Sequence, residues 1–207
     1  MTRPHVVASH ELAKRDPVIA RLVDTVGPCT VGVGRPARSH FAELCRMVCY
    51  QQLAGAAART IHGRFEALCT GSPTPDAVLA LPDAALRSAG LSAAKAASIR
   101  DLAARVEAGE VRLARIGRYD DEDVIAQLVT VRGIGRWTAE MFCMFQLRRL
   151  DLWPVDDLGV RKGYARIAGL ATMPTVKELG PLGDRFRPYR SVAAWYCWRA
   201  VDVIAPG

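Results

Sequence analysis

The chain has 207 residues, half of them hydrophobic, with 28 Lys and Arg against 21 Asp and Glu and a formal net charge of +7. This length suits one large domain or two small lobes that share a cleft, and the basic excess favours a polyanion partner, nucleic acid first. No apolar run of the roughly 18 residues that span a bilayer occurs, and the first residues lack the apolar stretch of a signal peptide. We therefore expect a cytoplasmic or nucleoid-associated protein without a membrane partner.

The cysteines indicate buried thiols and no metal centre. No C-x-x-C motif occurs, and two of the cysteines lie four residues apart on an apolar helix face. Buried thiols of this kind are typical of a reducing compartment, and the spacing supports neither a zinc site nor an iron–sulfur cluster. The cysteines are Cys29, Cys45, Cys49, Cys69, Cys143 and Cys197.

Apolar residues at helical spacing, separated by Gly and Pro breaks, predict helices along the chain and no convincing strand. Residues 9–27 form the first predicted helix, and a loop rich in Gly and Pro follows it up to Ser39, which can cap the second helix. The later helices are predicted over residues 39–50, 56–68, 76–81, 83–89, 93–108, 120–130, 136–147, 156–168 and 189–203, with a short helix from Thr175.

This pattern predicts an all-α fold. We expect residues 1–38 to pack on a core of residues 39–207, with the first and last helices in contact. Residues 39–116 would form one lobe. The segment that begins with the Gly-Ile-Gly turn at residue 133 would begin the second lobe.

Two glutamines, Gln51 and Gln52, follow Tyr50 at the junction of two predicted helices. Most such pairs are merely polar helix ends. The functional interpretation, favoured by the basic charge of the protein, is that the two side-chain amides enter a nucleic-acid duplex or contact a base.

The sequence V-R-G-I-G-R joins two apolar helical patterns and predicts a helix–hairpin–helix element that binds phosphate. Glycines allow positive φ and leave no side chain between the backbone and a phosphate, and the N–H groups of the next helix point at that phosphate. A lone G-x-G is usually just a turn, but here basic residues flank it. The predicted phosphate-binding residues are Arg132, Gly133, Ile134, Gly135, Arg136 and Thr138, and the backbone carbonyls of Val129, Val131 and Ile134 could hold a monovalent cation, Na⁺ or K⁺.

An acidic pair, Asp156 and Asp157, follows Trp153-Pro154-Val155 and opens the next predicted helix. An Asp at this place is often only an N-cap, but two allow one residue to cap while the other projects. A carboxylate near a phosphate-binding element repels the DNA backbone, which suggests chemistry on the sugar. Close to C1′, it can stabilise an oxocarbenium-like cation or orient the attacking water.

With these two motifs in order, the chain resembles the helix–hairpin–helix DNA glycosylases, and within them the 3-methyladenine DNA glycosylase II branch. The resemblance implies a two-lobed, all-α fold with the lesion pocket between the lobes, a monomer, and duplex DNA containing alkylated bases as the partner. It covers most of residues 40–200. The segments that carry it are FAELCRMVCYQQLAGAAARTI, AGLSAAKAASIRDLA, VRGIGRWTAEMF, WPVDDLGVRKG and RPYRSVAAWYCWRA.

The resemblance implies Asp157 as the catalytic carboxylate and Asp156 as a supporting or capping residue. Lyase-competent relatives carry a Lys where this chain has Trp137, so it implies a monofunctional glycosylase that hydrolyses the N-glycosidic bond. The four-Cys iron–sulfur loop of the endonuclease III branch is absent from the sequence. We expect the N-terminal β-rich domain of longer relatives to be missing here or reduced to residues 1–38.

The resemblance also implies an aromatic base pocket. Trp137 and Trp198 match its aromatic positions, Tyr50 and Trp195 are weaker candidates, and Met141 stands where the best-known relative has a Tyr. A purine such as 3-methyladenine carries positive charge, which aromatic faces attract.

At the Gln-Gln pair, relatives push a side chain into the gap left by the flipped nucleotide. Gln52 or Leu53 is the first candidate for this wedge, with Gln51 beside them. Two alternatives remain open: a glycosylase for another damaged or mismatched base, and a DNA-damage binder without catalysis.

Overall fold

A computed structural model describes residues 3–32 and 36–204, and every regular element in these residues is a helix, which confirms the all-α class. Short 3₁₀ helices over Leu113–Arg118 and Asp184–Phe186 complement the α-helices. In chain order the α-helices are α1 (Pro4–Arg15), α2 (Pro17–Val26), α3 (His40–Tyr50), α4 (Gly55–Leu68), α5 (Pro75–Ala80), α6 (Asp83–Ser88), α7 (Ala93–Glu107), α8 (Asp121–Leu128), α9 (Arg136–Met141), α10 (Leu158–Ala168), α11 (Val176–Leu182) and α12 (Arg190–Val203).

The helices form two compact units. One unit, Pro36–Phe142, holds α3 to α9 around contacts of α7 with α3, α5 and α6. The other combines the N-terminal segment with Cys143–Gly207, and in it α12 packs on α1, α2 and α10. The predicted contact between the first and last helices is therefore confirmed. Residues 1, 2, 33–35 and 205–207 of the predicted domains lie outside the described residues.

The hairpin between α8 and α9 belongs to the unit of α3 to α7, so the prediction that it begins a second lobe with Asp157 is wrong. Helix α8 packs on α9, and the non-local contact is the Asp101 side chain of α7, which accepts a hydrogen bond from the hairpin loop. Sequence order alone does not show such contacts.

The predicted first helix is in fact two helices, because the chain breaks at Asp16-Pro17. Pro17 keeps the preceding residue extended, and Asp16 has φ −135° and ψ 113°. The Asp16 carboxylate accepts hydrogen bonds from the N–H groups of Val18 at 2.9 Å and Ile19 at 3.1 Å and so caps α2.

Local signals elsewhere place the helices well. The hydroxyls of Ser39 and Ser92 accept from Ala42 N and Lys95 N as predicted caps of α3 and α7. Gly109 has a φ of +73° just beyond α7, as expected for a residue that ends a helix.

The predicted helix over residues 136–147 changes type on the way. It is α-helical only to Met141 and continues as a π-helical turn over Phe142–Gln146. A π turn contains an additional residue, so the side chains after it point in directions that a regular helix would not give them. None of the helices in the described part of the chain is long and apolar enough to cross a membrane.

Candidate functional site

The hairpin loop uses its two glycines differently. Gly133 has a φ of +76°, and a Cβ there would collide with the Ser98 hydroxyl of α7, so the predicted need for glycine is met at this position. Gly135 has φ −90° and ψ 172°, which other residues also adopt, and a Cβ there would meet no atom within 4 Å. The prediction of positive φ at Gly135 is therefore wrong, and its open surroundings leave room for a close approach to its backbone.

Two backbone N–H groups of the loop form hydrogen bonds, one with helix α7 and one within the loop. Arg132 N donates to the Asp101 carboxylate at 2.7 Å, and Ile134 N donates to the Val131 carbonyl at 3.1 Å. Burial raises the pKa of Asp101, but the bonds from Arg132 N and Arg105 outweigh it and lower that pKa overall. These two N–H groups hold the loop in shape. The Val131 carbonyl, a predicted cation ligand, already accepts one hydrogen bond.

Helix α9 begins at Arg136, after the N-cap residue Gly135, and within the described residues no side chain caps it. The Arg136 guanidinium pairs with Glu122 at 2.6 Å and with the buried Glu140 at 3.0 Å. The hydrogen bond from Arg136 lowers the pKa of Glu122. The predicted phosphate contact of Arg136 therefore rests on its backbone N–H, because its side chain is engaged with two carboxylates.

Asp157 is the N-cap of α10 and is only 9% exposed. Its Oδ1 accepts the backbone N–H of Val160 at 2.8 Å and the indole N–H of Trp198 at 2.8 Å. Asp156 is exposed, and the prediction that it caps the helix is wrong. One residue thus fills the cap and presents the carboxylate.

Trp198 stacks on Phe145 of the π turn, with ring centroids 5.7 Å apart and ring planes 23° apart. Gly159 makes room for the indole, since a Cβ on Gly159 would lie 2.6 Å from Trp198 Cδ1 and 3.1 Å from Asp157 Oδ1. Helices α10 and α12 also meet closely at Gly163, where a Cβ would collide with the Cys197 carbonyl. Close helix packing therefore sets the indole against the carboxylate.

Sequence analysis missed Phe145, which is 44% exposed although it is a large aromatic residue. It follows Trp137 by eight residues, a spacing that helical periodicity places near one face, and this signal could have marked it. Trp137 is likewise 44% exposed. Both aromatics therefore offer a ring surface to a ligand.

The other predicted pocket residues are buried or lie against arginine side chains. Met141 is buried, at 5% exposure. The half-buried Tyr50 ring lies under the Arg46 guanidinium at 4.9 Å, and Trp195 lies under Arg199 at 5.7 Å. The structure brings Trp198 to Asp157, whereas Trp195 contacts Arg199 and Tyr196.

The predicted wedge residues separate into two groups. The Gln51 amide donates to the Gly133 carbonyl at 3.0 Å and to the Thr138 hydroxyl at 3.4 Å, so its side chain is bound to the hairpin. Gln52 is exposed and has a φ of +55°, and Leu53 is 39% exposed. These two remain candidates for insertion.

Among the described residues, no group of three or more His, Cys, Asp or Glu is arranged to hold a metal ion, and the six cysteines are free and buried. The candidate functional groups are therefore a glycine hairpin in the unit 36–142 and, in the other unit, a buried carboxylate bonded to an indole that stacks on Phe145.

Comparisons with known proteins identify the family of the chain. The model of the HhH-GPD superfamily base excision DNA repair proteins matches residues 45–182. DNA-3-methyladenine glycosylase 1 of Schizosaccharomyces pombe is 34% identical over 86% of this chain and 80% of its own length. The Alkylbase DNA glycosidase-like protein mag2 of the same organism is 30% identical over 93% of this chain and 92% of its own.

Solved structures give the same result. The S. pombe 3-methyladenine DNA glycosylase in complex with abasic DNA superposes with a TM-score of 0.83 at 32% identity, over 95% of this chain and 97% of that one. A DNA-3-methyladenine glycosidase of Bacillus halodurans gives a TM-score of 0.85 at 32% identity, over 97% and 90% of the two chains. The chain therefore belongs to the HhH-GPD superfamily of base excision DNA repair proteins.

Proposed function

We propose that the protein is a monofunctional DNA glycosylase that hydrolyses the N-glycosidic bond of alkylated purines, 3-methyladenine and 7-methylguanine, in duplex DNA. The observation that carries this proposal is Asp157, a buried carboxylate fixed by a helix N–H and an indole N–H in a chain of a base excision repair family. A protein that only binds the DNA backbone gains nothing from a fixed, buried negative charge. The similarity to named 3-methyladenine glycosylases supports the substrate class.

The reaction follows from charge. The bond between C1′ and the base nitrogen breaks, and the electron pair leaves with the base, which turns a cationic alkylated purine into a neutral product. Asp157 stabilises the positive charge that develops on the sugar. A water oxygen then bonds to C1′ and gives up a proton, and an abasic site remains. Because the leaving base is already cationic, the reaction needs little acid catalysis.

Aromatic rings suit this substrate. The rings of Trp137 and of Phe145 are each 44% exposed, and an aromatic face attracts a cationic base more strongly than a neutral one. Trp137 also stands where lyase-competent relatives have a Lys. Without an amine at that position, no covalent intermediate forms there and the DNA strand stays intact.

The hairpin positions the DNA without reading its sequence. Gly133 and Gly135 let the backbone approach a phosphate, and the uncapped start of α9 directs N–H groups towards it. The carbonyls of Val129, Val131 and Ile134 would hold a monovalent cation, which would supply positive charge beside the phosphate. Gln52 or Leu53 fills the gap left by the flipped nucleotide.

The test uses methylated duplex DNA. Purified protein should release free 3-methyladenine and 7-methylguanine, detected by chromatography, and leave strands that break only after treatment with hot alkali. Strand cleavage without alkali would contradict the monofunctional assignment. Binding to abasic-site DNA with no base released from any lesion of a panel would instead identify a DNA-damage binder.

A further inference from the structure

Gln51 joins two segments of the unit 36–142 that are far apart in sequence. Its amide nitrogen carries two donor hydrogens, and it lies 3.0 Å from the Gly133 carbonyl and 3.4 Å from the Thr138 hydroxyl. The first acceptor is in the hairpin loop and the second is in the first turn of α9. One side chain from the end of α3 therefore contacts both parts of the hairpin.

The turn that carries Gln51 is fixed independently. Leu53 N donates to the Tyr50 carbonyl at 3.3 Å, and Lys95 Nζ donates to the carbonyls of Cys49 and Gln51, at 2.8 Å each. Between them Gln52 has a φ of +55°, which a residue with a side chain keeps only where its surroundings hold it. The exposed tip formed by Gln52 and Leu53, here called the probe tip, is thus mounted on a constrained turn.

Helix α7 holds both partners with one face. Lys95, Ser98 and Asp101 are three residues apart and so lie along the same side of the helix. Lys95 bonds the turn, Ser98 lies where Gly133 leaves space, and Asp101 accepts the N–H of Arg132 in the hairpin. Gln51 closes this ring of contacts, because it bonds the turn directly to the loop.

We infer that Gln51 is a positioning residue that couples the probe tip to the phosphate-binding hairpin, so that phosphate binding and side-chain insertion act as one step. The inference rests on the proposed function. A side chain that enters a base stack must stay at a fixed distance from the phosphate that the protein binds. Otherwise the neighbouring bases restack and displace it. The Gln51 bonds set that distance.

The experiment compares two substrates. One is a duplex with a paired 7-methylguanine, and the other has the same lesion opposite an abasic site, where flipping breaks no base pair and needs less help. Gln51→Met keeps the length of the side chain and removes both donors. We expect its single-turnover excision rate on the paired lesion to fall about ten-fold, as loss of a hydrogen bond allows, and the loss on the unpaired lesion to be much smaller.

Gln127→Met is the matched control, because Gln127 also bridges backbone groups of this unit, Arg112 N at 3.2 Å and the Asp123 carbonyl at 3.3 Å. It should excise both lesions at the wild-type rate. Thermal unfolding checks that every variant is folded. Gln51→Glu, which keeps the shape but turns oxygen towards the Gly133 carbonyl, replaces the Met variant if that variant does not fold.

An unchanged rate, or an equal loss on both substrates, would overturn the inference. If the wild-type protein releases no base, the proposed function is wrong. The coupling of the probe tip to the hairpin is then tested by DNA binding alone. In that case 2-aminopurine placed beside the lesion should fluoresce less in the Gln51→Met complex than in the wild-type complex. Equal fluorescence would overturn the coupling independently of catalysis.

Discussion

Helices α9 and α10 both begin at a candidate functional group, but the residues at their N-cap positions differ. Helix α9 follows Gly135 and, in the part of the chain that the structure describes, has no side-chain cap. Helix α10 follows Asp157, whose carboxylate accepts the N–H of Val160. The N-terminal N–H groups of a helix favour negative charge in both cases. The glycine supplies no side-chain cap, as the proposed phosphate contact requires, whereas the aspartate places a carboxylate of the protein itself on these N–H groups.

The largest effect is expected from a substitution that removes the negative charge of Asp157 but keeps the N-cap of α10. Asparagine caps a helix about as well as aspartate, so Asp157→Asn should remain folded. We expect its excision rate to fall by about 100- to 1,000-fold, because a fixed charge that stabilises a transition state is lost, with abasic-site DNA still bound. Single-turnover kinetics and thermal unfolding measure the two effects. Asp156→Asn, the same change at the exposed neighbour, should stay active, and an active Asp157→Asn would remove Asp157 from the mechanism.

A smaller effect should come from the indole that contacts the carboxylate. Trp198→Phe keeps an aromatic ring beside Phe145 and removes the N–H that Asp157 accepts. We expect about a ten-fold lower excision rate with DNA affinity unchanged, the size expected for one hydrogen bond to a charged group. Trp195→Phe serves as the control, since the Trp195 ring contacts Arg199 and Tyr196. Equal rates for the two variants would show that the indole N–H does not position Asp157.

Substitutions of the two hairpin glycines should affect different properties: the stability of the fold for Gly133 and the affinity for DNA for Gly135. Gly133→Ala should lower the free energy of unfolding by about 1–2 kcal/mol, because alanine is strained at φ +76° and its Cβ meets Ser98. Gly135→Ala should leave stability unchanged and weaken DNA binding, because its methyl group occupies the path of a phosphate. Urea unfolding and fluorescence anisotropy measure the pair. Full DNA affinity in Gly135→Ala would place the phosphate elsewhere.

The smallest effect concerns the arginines on either side of the loop. Arg132→Ala should reduce the slope of log Kd against log salt by about one, as for one lost phosphate contact. Arg136→Ala should change the slope less, since its guanidinium pairs with Glu122 and Glu140. Anisotropy titrations over a series of salt concentrations give both slopes. A larger change for Arg136 would show that DNA displaces its carboxylate partners.

Local signals predicted much of the fold. Serine caps, Gly109 and apolar periodicity placed α3, α4 and α7 within a residue or two, because capping and periodicity act over a few residues of chain. The break at Asp16-Pro17 was also a local signal, and sequence analysis overlooked it. The π turn over Phe142–Gln146 gave no comparable signal.

The sequence by itself determined that this chain is all-α, that a glycine turn separates two helices in V-R-G-I-G-R, and that the acidic pair Asp156-Asp157 opens the next helix, because each of these depends on neighbouring residues. Only the tertiary structure decided that Trp198 donates to Asp157 and that Gln51 binds the hairpin. Those contacts join residues 41 and 82 positions apart in the chain, a separation over which only the packing of helices decides which side chains meet.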